Sequence, residues 1–118
     1  MFSIIIPTLN NIEYLKLCLK SIKKNSSYNH EIIIHINDGS DGTLEFIKSS
    51  PYKYTNSNLN IGLCSSINKA AKLASNNYIL YSHDDMYFCP DWDKVLINEI
   101  NVMKNDSFYL SGTMIEAF

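Results

Sequence analysis

Short strand-like runs alternating with segments of helical period constrain the fold of this chain more than any other feature. Phe2 to Ile6 is an apolar run closed by Pro7, and Glu31 to Ile36 is a β-branched run closed by Asn37-Asp38-Gly39-Ser40. Runs of this kind, apolar throughout and ending in turn residues, read as buried strands. Between them Leu15, Cys18, Leu19 and Ile22 recur at i, i+3, i+4 and i+7, an amphipathic helix of about three turns, and Asn10 with Glu13 reads as its capping box. A short helix over 41–48 and a weak strand from Lys53 to Asn56 follow, the latter where Tyr52 and Tyr54 alternate with polar neighbours. Gly62 opens a third helix whose stripe of Ile67, Ala70, Ala71 and Ala74 is narrow enough to lie close to a sheet. Tyr78 to Ser82 is the next strand. Pro90, at a first-turn position, begins a helix with Trp92, Val95, Leu96, Ile100 and Met103 inward, and Phe108 to Thr113 is the last strand. The order βαβαβαβαβ with short connections predicts an α/β fold, a mostly parallel sheet with helices on both faces.

At 118 residues and 46% hydrophobic content, the chain supports one core, so residues 1–118 read as one domain or part of one. No stretch approaches the roughly 18–20 apolar residues that span a bilayer, and Met1 leads into a strand rather than a cleavable leader. Cys18, Cys64 and Cys89 are widely spaced and form no CxxC pair, which predicts reduced, mostly buried thiols and a soluble, cytoplasmic protein. The net charge of -2 excludes the electrostatic footprint of a nucleic-acid binder. All ten basic residues are lysine, so a phosphate recognised here must be met by lysine, backbone N–H groups, a helix N-terminus or a metal. Asn25-Ser26-Ser27 matches a glycosylation sequon and reads as an ordinary polar loop.

Three polar clusters follow strands in this scheme: Pro7-Thr8-Leu9-Asn10, Asn37-Asp38-Gly39-Ser40-Asp41 and His83-Asp84-Asp85. A parallel sheet brings all three to one edge, beyond the carboxyl ends of the strands, where such sheets bind ligands. The paired carboxylates of Asp84 and Asp85 suit a hydrated divalent cation, the usual partner of a diphosphate. Asp38 can accept from a base N–H, and Gly39 lets the backbone turn or approach a ligand closely.

These motifs, in this order, resemble those of a family 2 glycosyltransferase of the GT-A fold, and the resemblance runs nearly end to end. Ile4-Ile5-Ile6-Pro7-Thr8-Leu9-Asn10 is similar to that family's opening strand and loop, and Asn37-Asp38-Gly39-Ser40-Asp41-Gly42-Thr43 to its second-strand signature. Asn60-Ile61-Gly62 with Asn68 resembles its helix-opening segment. His83-Asp84-Asp85, with Pro90 and Trp92 beyond, resembles the metal-binding DxD motif and the helix after it. The resemblance implies a Rossmann-like nucleotide-binding half in which Pro7, Thr8, Asn10, Asn60 and Gly62 line the donor pocket and Asp38 binds the edge of a pyrimidine. It further implies that Asp84 is directed at ribose or the donor sugar and that Asp85 ligates Mn²⁺ or Mg²⁺ on the diphosphate, with His83 an additional candidate ligand. The implied donor is a UDP-, GDP- or dTDP-linked sugar, the reaction is hexosyl transfer to an acceptor hydroxyl, and no catalytic base is identified before Phe118.

Two residues depart from the family pattern. His83 stands where the first acid of the motif is often found, which favours Mn²⁺ over Mg²⁺, and Ile67 occupies a position where many relatives place a basic residue near the phosphates. Lys69 and Lys72 read as solvated helix-face residues. Family members continue past a strand like Phe108 to Thr113 into an acceptor half that carries the general base, and Glu116 is not placed to serve as that base. The expectation is therefore a donor-binding portion truncated before the acceptor half, not catalytic by itself, whose open strand edges favour a homo-oligomer. A non-catalytic nucleotide-sugar binding or assembly module is the alternative on the same fold. A receiver-type signalling domain requires acids after the first strand, where Pro7-Thr8 stands, and a dinucleotide-binding oxidoreductase requires a G-x-G-x-x-G that is missing.

Overall fold

A computed structural model describes residues 1–112 of the chain. The elements are β1 (Phe2–Leu9), α1 (Ile12–Asn25), β2 (Glu31–Asn37), α2 (Thr43–Lys48), β3 (Lys53–Ser57), α3 (Leu63–Ala71), β4 (Tyr78–Tyr81) and α4 (Trp92–Val102). The strands form one sheet in the order β3-β2-β1-β4, and every neighbouring pair is parallel. β1 is central and buried along nearly its whole length, which is why it reads as a continuous apolar run rather than an alternating one.

The two faces of the sheet are covered unequally. Phe2, Ile4, Ile6, Ile34 and Ile36 meet Leu15, Cys18, Leu19 and Ile22 of α1, Ile47 of α2, and Trp92, Leu96, Ile97 and Ile100 of α4. Ile5 and Ile33, on the opposite face, meet Ala70, with Ile67, Ala71 and Ala74 packed around it. The small-residue stripe therefore works as read, bringing α3 close to the sheet. Among the described residues α3 is the single helix on that face, and Ile79 and Tyr81 on the outer strand stay exposed beside it.

Several local expectations give way to tertiary context. Pro7 does not close β1, which continues to Leu9. Ser82 N–H donates to the Ile5 carbonyl (3.0 Å), so Ile5, and Pro7 two residues on, present their backbone groups toward the β4 side. β4 has ended there, so the absent proline N–H costs no ladder bond. Pro90 is not in the first turn of α4, which begins at Trp92 behind a left-handed Asp91. Val95 is 60% exposed, and Ile97 takes the inward place assigned to it. Over 108–112 there is no strand; Thr113 and Glu116 lie outside the described residues. Cys18 is buried, but Cys64 and Cys89 are exposed, and all three are free thiols. The Asn25 sequon is part of the packing, since its side-chain amide donates to the Phe88 carbonyl (2.6 Å).

Glu31 ties three segments at the amino end of the sheet. Its carboxylate accepts from the Ser3 hydroxyl and the Lys53 ammonium, and from the backbone N–H (2.9 Å) and hydroxyl (2.8 Å) of Ser75. Burial alone would raise its carboxyl, but the Lys53, Ser3 and Ser75 donors outweigh it and bring it from 4.5 down to about 2. A carboxylate depressed in the folded state adds stability that is present above the unfolded value and lost as pH falls through the folded one. Glu31→Gln is expected to lose about 1–2 kcal/mol at pH 7 and to flatten the acid loss of stability between pH 4.5 and about 2. Urea melts across that range check this; a variant curve parallel to the parent's would contradict it.

Candidate functional site

The order β3-β2-β1-β4 reverses direction between β1 and β4, and crevices at such reversals, beyond the carboxyl ends of the strands, are where α/β sheets bind ligands. An open cavity of about 350 Å³ lies there, lined by Pro7 and Thr8 at the end of β1 and Asn10 just past it, Asn60 and Gly62 before α3, and His83 and Asp84 after β4. Seven residues singled out from sequence thus meet at one place. Thr8, buried at the end of β1, donates through Oγ1 to Asp84 Oδ2 (2.7 Å), and Asn11 Nδ2 donates to Asp84 Oδ1 (3.2 Å). Both carboxylate oxygens are engaged across the crevice, each with a lone pair left for a ligand hydroxyl.

Asn10 and Asp38 occupy left-handed backbone positions (φ 45° and 60°) at the ends of adjacent strands. Such positions are costly for non-glycine residues, and Asn and Asp tolerate them best. Asn10 Nδ2 donates to Asp38 Oδ2 (2.8 Å), and Asn10 Oδ1 accepts from Gly39 N–H (3.0 Å). Ser40 adds its hydroxyl to the same Asp38 oxygen (2.9 Å). The Asn10 bond first, then those of Ser40, holds the Asp38 carboxyl below its ordinary range. Asp38 borders the cavity through Asn10 rather than lining it, and its Oδ1 has no hydrogen-bond partner among the described residues.

The Asn10–Glu13 capping box does not form, because Asn10 is committed to the β2 loop. Ile12 N–H at the start of α1 is met instead by Asp41 Oδ2 (3.2 Å), while Asp41 Oδ1 takes the hydroxyl and N–H of Thr43 (2.6 and 3.1 Å). Burial pushes the Asp41 carboxyl up, and these bonds from Thr43 and Ile12 more than reverse it, so it lies below its usual range. One side chain thus joins the starts of α1 and α2.

Asn11, Leu63 and Ser66 on the cavity wall were not singled out from sequence, and Asn37 was named there only as the head of the second-strand cluster, with no role of its own. Asn37 is 4% exposed and sits where polar residues at a strand end read as turn formers. Its role rests on contacts with residues more than twenty positions away in the chain, which no local pattern signals.

Asp85 is exposed, has no hydrogen-bond or ion-pair partner among the described residues and does not line the cavity. The His83 ring packs on Tyr81, with centroids 5.1 Å apart and Nε2 3.1 Å from the phenol oxygen. Beneath this loop the Cys18 thiol is pushed up to about 12, chiefly by burial and then by the charges of Asp84 and Asp85. Among the described residues no three His, Cys, Asp or Glu side chains converge as a self-sufficient metal cage. Lys69 and Lys72 are exposed and off the cavity wall, and Ile67 packs against Ile5, Ile33 and Ala70.

Comparisons with known proteins agree with this architecture. The glycosyl transferase family 2 model matches residues 3–116. An uncharacterised glycosyltransferase of Mycoplasma genitalium is 35% identical over 100 residues, covering 77% of this chain and 33% of that protein. Residues 1–349 of S. aureus TarS, solved in complex with UDP-GlcNAc, superpose with a TM-score of 0.75 at 24% identity, over 85% of this chain and 31% of that one. A mannosyltransferase from Pyrobaculum calidifontis, solved with GDP-Man and Mn²⁺, gives 0.69 at 17% identity, over 88% of this chain and 32% of that one. At such identities the structural likeness carries the fold, that of GT-A enzymes. The chain spans about a third of the length of these relatives. With four parallel strands in the matching arrangement and a family match from residue 3 to residue 116, the chain belongs to glycosyl transferase family 2.

Proposed function

We propose that the cavity between β1 and β4 binds a nucleoside diphosphate sugar, as the donor site of a metal-dependent glycosyltransferase that passes the sugar to an acceptor hydroxyl. The observation that carries this reading is the Thr8–Asp84 hydrogen bond across the reversal of strand order, with Asn10, Asn37 and Gly62 around the same cavity. Fold relatives solved with UDP-GlcNAc and with GDP-Man and Mn²⁺ support it. Strand order also weighs against a receiver-type domain, whose first strand pairs with its third; here β1 pairs with β2 and β4.

In this reading the nucleoside lies against Pro7, Thr8 and Asn10, with the free Asp38 oxygen as acceptor for a base N–H. Asp84, oriented by Thr8 and Asn11, takes a ribose or sugar hydroxyl. α3 begins at Leu63 without a side-chain cap, so its first N–H groups face phosphate in a chain without arginine. The donor set fits a hard divalent cation, because such ions are held by one or two carboxylates plus substrate phosphates rather than by a full protein cage. Asp85, with a carboxylate that has no protein partner among the described residues, would hold it, with His83 adjacent. When bound, the cation neutralises charge on the departing diphosphate. We assign the chain as a single GT-A domain portion and, from its three free thiols, to the cytoplasm. No helix among the described residues is long and apolar enough to cross a membrane.

Calorimetric titration of UDP, GDP, dTDP and their sugars, with and without Mn²⁺, tests the reading. Metal-dependent binding of at least one diphosphate is expected, weakened tenfold or more by Asp85→Asn, about 1.4 kcal/mol. A folded sample that binds none of them would sink it.

A further inference from the structure

We propose that Asn37 is the positioning residue of this cavity, holding the β1 wall and the α3 wall at the separation a nucleoside diphosphate requires. The inference rests on the donor-site reading and assigns a role to a residue that makes the site rather than the chemistry. Asn37 Nδ2 donates to the Thr8 carbonyl (3.3 Å) and to Ser66 Oγ (3.0 Å), while Oδ1 accepts from Ile61 N–H (3.0 Å). One buried amide therefore joins the residue that orients Asp84, the loop before α3, and α3 itself.

The orientation of that amide follows from the proton on Ser66. Its hydroxyl donates to the Gly62 carbonyl (2.6 Å), so toward Asn37 it acts as an acceptor. The Thr8 carbonyl is an acceptor too. Only a side chain presenting an NH₂ to both, and an oxygen to Ile61 N–H and to the Ser57 hydroxyl (3.3 Å), satisfies these partners. An aspartate has the same shape and no donor, so it would place a carboxylate against two acceptors. Asparagine is thus specified by the walls it joins, and the relay Asn37–Ser66–Gly62 carries the constraint to the mouth of the cavity.

The test uses Asn37→Asp, Asn37→Ala and Ser66→Ala, with Glu31→Gln as a destabilised control at the other end of the sheet. Without nucleotide, Asn37→Ala is expected to speed amide exchange at Ile61 at least tenfold while ladder amides of β1 and β2 keep their protection. Asn37→Asp, which retains the acceptor, is expected to leave Ile61 protected. Unchanged exchange at Ile61 in Asn37→Ala would overturn the proposal. With UDP or GDP and Mn²⁺, Asn37→Asp is expected to bind at least tenfold more weakly than the parent at pH 8. Burial against two acceptors raises the new carboxyl above the ordinary aspartate range, so the deficit should shrink to threefold or less at pH 5, where its protonated form regains one donor. Ser66→Ala should show an intermediate loss at both pH values, and Glu31→Gln should stay within twofold of the parent. A deficit below twofold for folded Asn37→Asp, or one that ignores pH and recurs in Glu31→Gln, would equally overturn it. Failure of the parent to bind either nucleotide defeats the donor reading instead, and the exchange at Ile61 then decides by itself whether Asn37 holds the walls.

Discussion

Asp93→Ala is expected to cost about 3–5 kcal/mol of folding stability, the range for removing one partner from a buried, hydrogen-bonded charge. Asp93 is wholly buried in the first turn of α4. Its Oδ2 accepts from Ser27 N–H (2.8 Å), Tyr28 N–H (2.9 Å) and His30 Nε2 (2.9 Å), and Oδ1 accepts from Lys94 N–H (3.0 Å). His30 Nδ1 accepts from Phe2 N–H (3.1 Å), which places the ring proton on Nε2, facing Asp93. Alanine would strand two amides and an imidazole N–H beneath Phe2, Trp92 and Tyr28. Because single domains are stable by only about 5–15 kcal/mol, this one change removes much of the margin, and urea melts should show it as a large fall in midpoint. Burial raises the Asp93 carboxyl, and the bonds from His30, Tyr28 and Ser27 more than reverse that, leaving it below its ordinary value. Its contribution is therefore present at neutral pH and lost as acid titrates it, so the alanine variant should differ least from the parent at the lowest pH.

Gly39→Ala should cost about 2–4 kcal/mol and distort the candidate site as well. Gly39 has φ 91°, and a Cβ there would stand 2.8 Å from Ile36 Cγ2 and 2.8 Å from Leu44 Cβ. Leu44 Cβ sits beside the backbone of α2, so the helix itself would have to move. The glycine is thus required by the packing of α2 on the end of β2, a stronger reason than the close ligand approach inferred from sequence. The Gly39 N–H also holds Asn10, so a shift would loosen the Asn10–Asp38 contact. Gly62 is the contrast: a Cβ there meets nothing within 4 Å, and only its φ of 83° resists substitution. Thermal melts of Gly39→Ala and Gly62→Ala side by side should rank the first as the more damaging; the reverse order would refute the packing account.

The parallel α/β order was legible because each strand and helix carries its own period: Ile4 to Ile6, Ile32 to Ile36 and the Leu15–Ile22 stripe specify their elements locally. The meeting of Thr8, Asn10 and Asp84 followed from topology alone, since parallel strands gather their carboxyl ends. What escaped was set by partners distant in sequence. Asn10 reads as a cap until Asp38 claims it. Asp93 lies 63 residues from His30 and reads as an ordinary first-turn acid. Val95 and Ile97 are both apolar on one helix, and only the position of α4 on the sheet decides which turns inward. Asn37 looks like a turn former because amides that organise loops and amides that organise cavities are the same residue in a one-dimensional reading.

The bond from Asp41 to the first amide of α1 has a consequence for how the chain becomes structured during synthesis. The helix it caps is complete by Asn25, but its start has no side-chain cap of its own until residue 41 has been made and β2 has laid down beside β1. The amino end of α1 therefore gains its side-chain cap only through tertiary contact. The α1 amino end, the 38–42 loop and the start of α2 should open and close as one cooperative unit, so that a nascent chain gains the β1 side of the crevice before α3 and Asp84 are made.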